Sequence, residues 1–174
     1  IFTNATCGYD ASTTVTGDVT NEADNCSTGL NSTFTDNLSN GACQGLRFIT
    51  RTWRLADNCG NSAATQTQLI VIADVTAPTF TAPTNVTIYT NATCGYDEST
   101  TFTGDVTDEA DNCSTGINAT YVDNTVAGPC QGSRIITRTW SLVDHCTNAA
   151  LDQDQIITVM DNTAPTFTVP ANTT

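Results

Sequence analysis

Short runs in which apolar and polar residues alternate recur along this chain, each closed by Gly, Pro, Asn or Asp. A period of two belongs to half-buried β-strands, and no stretch sustains the three-and-four spacing of an amphipathic helix. From residue 76 the pattern predicts a Pro-punctuated linker and edge strand over 76–83, continuing as a strand from Asn85 to Tyr89. A turn over Asn91–Gly95 leads to a strand over Ser99–Asp105, an acidic loop over 107–113 and a strand over Gly116–Val122. A polar loop through Gly128, Cys130 and Gly132 precedes the longest strand, Arg134–Val143. The turn 144–148 and a last strand, Gln153–Met160, complete the series. Short strands with turn signals at this spacing predict an all-β fold of the β-sandwich kind.

The same pattern is written twice. Cys7, Cys26, Cys43 and Cys59 recur as Cys94, Cys113, Cys130 and Cys146, each 87 positions on, and about two thirds of the aligned residues are identical. A period of this length holds one small domain, so the chain is expected to be a linear stack of like modules joined head to tail. The expected divisions are 1–74, a first repeat lacking its first strand; 75–161, a complete repeat; and 162–174, a linker with a spare first strand. Ile1 is equivalent to Ile88, so the missing piece and the spare piece are the same element. The arrangements that use both pieces are a longer covalent array and strand complementation in which 164–174 of one chain completes the next; a truncated monomer with an unsatisfied edge is the remaining alternative. Both joined arrangements give a head-to-tail filament, because the contact is heterologous and does not close on itself. Within the strands, Trp53 and Trp140 read as core anchors and Arg51 and Arg138 as structural, hydrogen-bonded arginines.

Charge narrows the function classes. Eighteen acidic side chains face five Arg, one His and no Lys, a formal charge of -13. Such a surface repels nucleic acid and anionic membranes, and no apolar run is long enough for insertion into a bilayer. No initiator Met or signal peptide is present, so the chain reads as a mature segment or an excerpt. His145 is the only histidine and has no counterpart in the first repeat, which leaves no triad or metal-hydrolase constellation to build. An enzyme is not expected.

Eight cysteines without metal-type spacing predict disulfides and an oxidising, extracellular or cell-surface setting. Successive loops of an antiparallel sandwich alternate between its two ends. First and third cysteines of a repeat therefore share one end, second and fourth the other, with the ends ~30 Å apart and bridges limited to Cα separations of about 7 Å. Within a repeat this predicts Cys7–Cys43, Cys26–Cys59, Cys94–Cys130 and Cys113–Cys146.

Turn parity also gathers acids. Asp74, leaving the first repeat, is expected to face Asp105, Asp108, Glu109, Asp111, Asn112 and Asp144 of the second. The equivalent set is Asp18, Glu22, Asp24, Asn25 and Asp57, with Asp161 at the second exit. Two carboxylates about 4 Å apart repel by about 4 kcal/mol at an effective dielectric of 20. Oxygen-only ligands without a neighbouring Lys or Arg suit Ca²⁺.

The stretch Asp161-Asn162-Thr163-Ala164-Pro165-Thr166-Phe167 resembles the linker of cadherins, which implies calcium between immunoglobulin-like domains. The whole repeat is similar to HYR-like immunoglobulin-fold modules of bacterial surface proteins. The residues that carry this are the Thr-Ala-Pro-Thr-Phe linker, Ala-Asp-Asn-Cys (23–26 and 110–113) and Asp-Asn-Cys-Gly-Asn (57–61). That resemblance implies tandem immunoglobulin-like sandwiches in a cell-surface or matrix role, rigidified by calcium. Val75 in the first linker and His145-Cys146-Thr147 in the last turn depart from the pattern and predict sites of unequal strength. The expected function is a structural subunit of a calcium-stabilised extracellular fibre or stalk. The alternative is the repeat region of an adhesin that binds a glycan or protein partner through its loops.

Overall fold

A computed structural model describes residues 1–172. Its elements are α1 (Thr13–Thr16), β1 (Thr33–Asn40), β2 (Arg47–Arg54), β3 (Gln66–Ile72), β4 (Val86–Tyr89), α2 (Thr100–Thr103), β5 (Thr120–Ala127), β6 (Arg134–Ser141) and β7 (Gln153–Met160). The strands form two sheets, of order β1-β2-β3 and β4-β7-β6-β5. All pairings are antiparallel except that of β4 with β7. The fold is all-β, and elements one period apart fall on equivalent residues. No helix among the described residues is long and apolar enough to cross a membrane.

The chain forms two compact units. One contains Ile1–Pro78 together with Ala110–Ile117 and Val143–Ala149; the other contains Thr79–Glu109, Asn118–Leu142 and Ala150 onward. Two loops of the second repeat thus belong to the unit that holds the first repeat's sheet.

Among the described residues each unit holds one sheet, and irregular segments help to close its apolar face. In the first, Ile49, Ile70 and Ile72 are buried with Ile1, Tyr9 and Ala11 against them. In the second, Ile136, Ile157 and Val159 are buried with Val86, Ile88 and Tyr96 against them. Full burial of each such aliphatic side chain stabilises by about 1.5–3 kcal/mol.

The expected strand Ser99–Asp105 is a correction. Its centre is the helical turn α2, which Gly104 ends at φ 96°, a conformation open to glycine without steric cost. The turn serves a polar contact: Arg138 donates to Thr103 Oγ1 at 2.8 Å and to the Glu98 carbonyl at 2.8 Å. Gln155 donates to the Thr103 carbonyl at 2.6 Å. Arg51 makes the matching contacts to Thr16 Oγ1 and the Ala11 carbonyl. The strand expected over Gly116–Val122 lies later, over Thr120–Ala127, where every residue of β5 is exposed and burial leaves little alternation to read. Its register sets Asp123 opposite Arg138 and Tyr121 opposite Trp140.

Those arginines are structural, as their place in the strands suggested. Arg138 is 0 % exposed and holds both carboxylate oxygens of Asp123 at 2.8 Å. Its guanidinium also lies 3.9 Å from the Tyr121 ring centroid. Arg51 repeats the arrangement with Asp36 and Phe34. Trp140 is buried at 1 %, whereas Trp53 is only half-buried. A second difference between the units accompanies this one. Gln153 and Gln155 clamp the backbone of Phe80, Ala82 and Thr84 in the second unit, and Phe80 is buried there. In the first unit the equivalent Gln66 is exposed.

Candidate metal centre

Asp74 leaves β3 at the end of the first repeat and is 5 % exposed. Its Oδ1 accepts from Thr3 Oγ1 at 3.2 Å and from the Thr76 amide at 3.1 Å, and its Oδ2 is buried without a partner. Asp111 lies in the acidic loop. Its Oδ2 accepts from the amides of Cys113 and Ser114 at 2.8 and 2.7 Å, which shapes the loop and leaves Oδ1 buried and unpartnered. Asp144, 6 % exposed, opens the turn after β6. Asn148 pins it through a backbone amide to Oδ1 and a side-chain amide to Oδ2, both 2.7 Å.

One oxygen from each of Asp74, Asp111 and Asp144 lies within 4.8 Å of the others. All three residues belong to the first unit. The ion pairs among the described residues are Arg51–Asp36 and Arg138–Asp123, so no cation among those residues neutralises the cluster by direct pairing. Two buried oxygens without hydrogen-bond partners, in a group of three carboxylates, form an arrangement that burial penalises unless something neutralises it. Asn112, next to Asp111, adds a buried unpartnered Oδ1, while its amide donates to the Asn4 carbonyl at 2.9 Å. The donor set is all oxygen, which fits a hard cation.

The other acids expected at this place are elsewhere. Asp108 accepts from the Thr81 amide at 2.8 Å, and the Thr81 side chain together with that amide holds its carboxyl below the ordinary range. Asp105 and Glu109 accept from the amides of Val106 and Ala119. These three lie in the second unit and take no part in the cluster. Asp18 and Glu22 likewise accept from the amides of Val19 and Ser32. Asp24 accepts from Cys26 and Ser27, Asp57 from Cys59 and Asn61, and Asp161 from Thr163. Those backbone bonds hold the Asp24 carboxyl low, and for Asp57 the Asn61 side chain and amide do the same. Asn25 is exposed. None of these joins a three-acid cluster among the described residues. Sequence reasoning missed Asn148, the residue that orients Asp144. Its signal was the Asp-x-x-x-Asn spacing shared with Asp57 and Asn61.

The disulfides are the second correction. Cys7 bonds Cys113 and Cys43 bonds Cys146, so the expected Cys7–Cys43 and Cys113–Cys146 bridges do not form. Cys26, Cys59, Cys94 and Cys130 are exposed thiols, and Cys26–Cys59 and Cys94–Cys130 are likewise absent. Sharing an end of a module did not make two cysteines partners. Loops 110–117 and 143–149 fold into the first unit beside Cys7 and Cys43, so each bridge joins cysteines of opposite end classes. Gly45 seals the spot: at φ 95°, a Cβ there would stand 2.7 Å from Asp74 Cβ and 3.0 Å from Cys113 Cβ.

No protein-family model matches the chain, and no match is found among curated proteins.

Proposed function

We propose that this chain is a structural subunit of an extracellular fibre or stalk, built from head-to-tail immunoglobulin-like modules of HYR-like type and stiffened by Ca²⁺. The observation that carries the reading is the group of buried Asp74 and Asp144 with half-buried Asp111, which holds two orphaned buried oxygens and is set among cross-repeat disulfides. The calcium is expected to draw on those three carboxylates and to remove their mutual repulsion. Loops of one module are then held against the exit of the one before it, both covalently and ionically. Disulfides suit an oxidising compartment outside the cytoplasm.

The exposed tail supports self-association. Phe167 is 88 % exposed, whereas its counterpart one period earlier, Phe80, is buried under the clamp of Gln153. Exposed Gln66 and half-buried Trp53 are the acceptor that such a tail would need. Residues 173 and 174 of the expected spare strand lie outside the described residues.

Thermal melting in Ca²⁺ against chelator tests the metal. An ion bound to the folded state stabilises by about 2.7 kcal/mol at a hundredfold excess over Kd, so the melting temperature should climb with calcium concentration. Asp74→Asn and Asp111→Asn should each remove most of that rise. Identical curves for the parent chain with and without calcium would sink the site, and electron micrographs without filaments would sink the fibre.

A further inference from the structure

The two bridges consume one class of cysteine from each repeat and leave the complementary set. Cys7 and Cys43, first and third of their repeat, bond Cys113 and Cys146, second and fourth of theirs. The thiols that remain are second and fourth of the first repeat (Cys26, Cys59) and first and third of the second (Cys94, Cys130). A shift of one period maps each bonded pair onto one cysteine from each end of the chain.

The free loops already have the shape of the bonded ones. Cys94 has φ 62° and Cys7 has φ 58°, an unusual conformation for a non-glycine residue. Asn91 Oδ1 accepts from the Thr93 and Gly95 amides, as Asn4 Oδ1 does from Thr6 and Gly8. Asp24 gathers the amides of Cys26 and Ser27 as Asp111 gathers those of Cys113 and Ser114. Asn61 pins Asp57 through the same two bonds by which Asn148 pins Asp144. Cys7, Cys43 and Cys113 line a cleft with Gln44 and Gly45; Cys94 and Cys130 line one with Gln131, Asp161 and Pro165. Four exposed thiols therefore sit in loops whose conformation does not depend on the bridge.

We propose that these thiols are a covalent polymerisation device: Cys94 and Cys130 of one chain bond Cys26 and Cys59, respectively, of a second copy. This rests on the head-to-tail reading above and adds its covalent register, independent of calcium. The chemistry is thiol–disulfide exchange with a small-molecule disulfide as oxidant. The Cys94 thiolate attacks the oxidant, forms a mixed disulfide and expels one small thiol. The Cys26 thiolate of the second copy then attacks the Cys94 sulfur and expels the other. Two protein thiols become one disulfide, and one oxidant molecule becomes two thiols. Cys130 and Cys59 repeat the exchange. Asp161 would meet Asp24 and Asp57 of the second copy there, as Asp74 meets Asp111 and Asp144 within one chain.

The test uses two capped chains. Cys94→Ser/Cys130→Ser keeps only the Cys26 and Cys59 thiols; Cys26→Ser/Cys59→Ser keeps only Cys94 and Cys130. All four positions are exposed and unbonded, so both variants retain the native bridges. Each is oxidised alone and mixed with glutathione disulfide, with calcium and with chelator, then alkylated and run without reductant. The unmodified chain should give a ladder. Each capped chain should stay monomeric, and the mixture should stop at a heterodimer whose linked peptides are Cys94–Cys26 and Cys130–Cys59. Bridges Cys26–Cys59 or Cys94–Cys130 inside a monomer, scrambled pairs, or thiols left free would overturn the proposal. Filaments that form in micrographs without these cross-links would overturn it and leave the fibre reading standing. An absence of both filaments and ladder would overturn both.

Discussion

Each arginine at the centre of a sheet is enclosed by groups that leave its charge no route to solvent. Arg51 donates to Asp36, Thr16 and Ala11, and the hydrogen bond from Arg51 holds the Asp36 carboxyl below its ordinary 3.8. A carboxyl depressed on folding contributes stability that is fully present above its unfolded value and is lost as pH falls through the lower folded one. Asp10, Asp24, Asp57, Asp97 and Asp108 are depressed as well, all by hydrogen bonds to nearby groups. The melting temperature should therefore be level above the ordinary aspartate range and fall below it. Asp36→Asn should cost about 2 kcal/mol at neutral pH through the weakened charged hydrogen bonds. It should also make the acid limb shallower, which a pH series of thermal melts would read. That a strand Arg is structural was legible from its place two residues before Trp. That its partner is the acid directly across the ladder was not, since β5 carries no burial pattern to fix its register.

Between elements, the two repeats part company where their surroundings differ. Trp140 is enclosed and Trp53 is not, although they occupy equivalent strand positions. Trp140→Ala should cost about 3–5 kcal/mol in urea unfolding, as for other large aromatic deletions in cores, and Trp53→Ala clearly less. Equal losses would show that the clamped segment contributes nothing to burying Trp140. The glycines make a second contrast. Gly45 and Gly132 both have positive φ, so alanine at either should cost about 1–2 kcal/mol in backbone terms. At Gly45 the added methyl would also strike Asp74 and Cys113, whereas at Gly132 it meets only Cys94 Sγ, at 3.1 Å. Gly45→Ala should therefore lower the melting temperature more than Gly132→Ala, and it alone should blunt the calcium-dependent rise.

Across the whole molecule, the disulfides tie residues 106 and 103 positions apart. In the chain-entropy model one loop of about 100 residues contributes about 4.7 kcal/mol through the unfolded state, and the second, overlapping loop adds less. The Cys7→Ser/Cys113→Ser variant should thus lose up to about 4 kcal/mol in denaturant titration, with Cys43–Cys146 retained. A negligible loss would mean that the packing of the first unit alone holds loops 110–117 and 143–149. At this scale the chain's charge of -13 is also divided in kind. Most acids whose contacts are resolved are hydrogen-bonded to nearby groups, and one largely buried cluster keeps two unpartnered oxygens for a cation.

The period of two, the 87-residue repeat and the excess of oxygen ligands over cations are properties of the chain read in one dimension. They determined an all-β protein of recurring elements, bridged by cysteines and carrying candidate acids that included Asp74, Asp111 and Asp144. Which cysteine meets which, and which three acids converge, were decided only in three dimensions. A repeat makes position i and its equivalent one period on indistinguishable in sequence, so every pairing within a repeat has an equally legible rival across repeats. Distance alone breaks that tie, and distance here depends on two loops of the second repeat folding into the unit that holds the first.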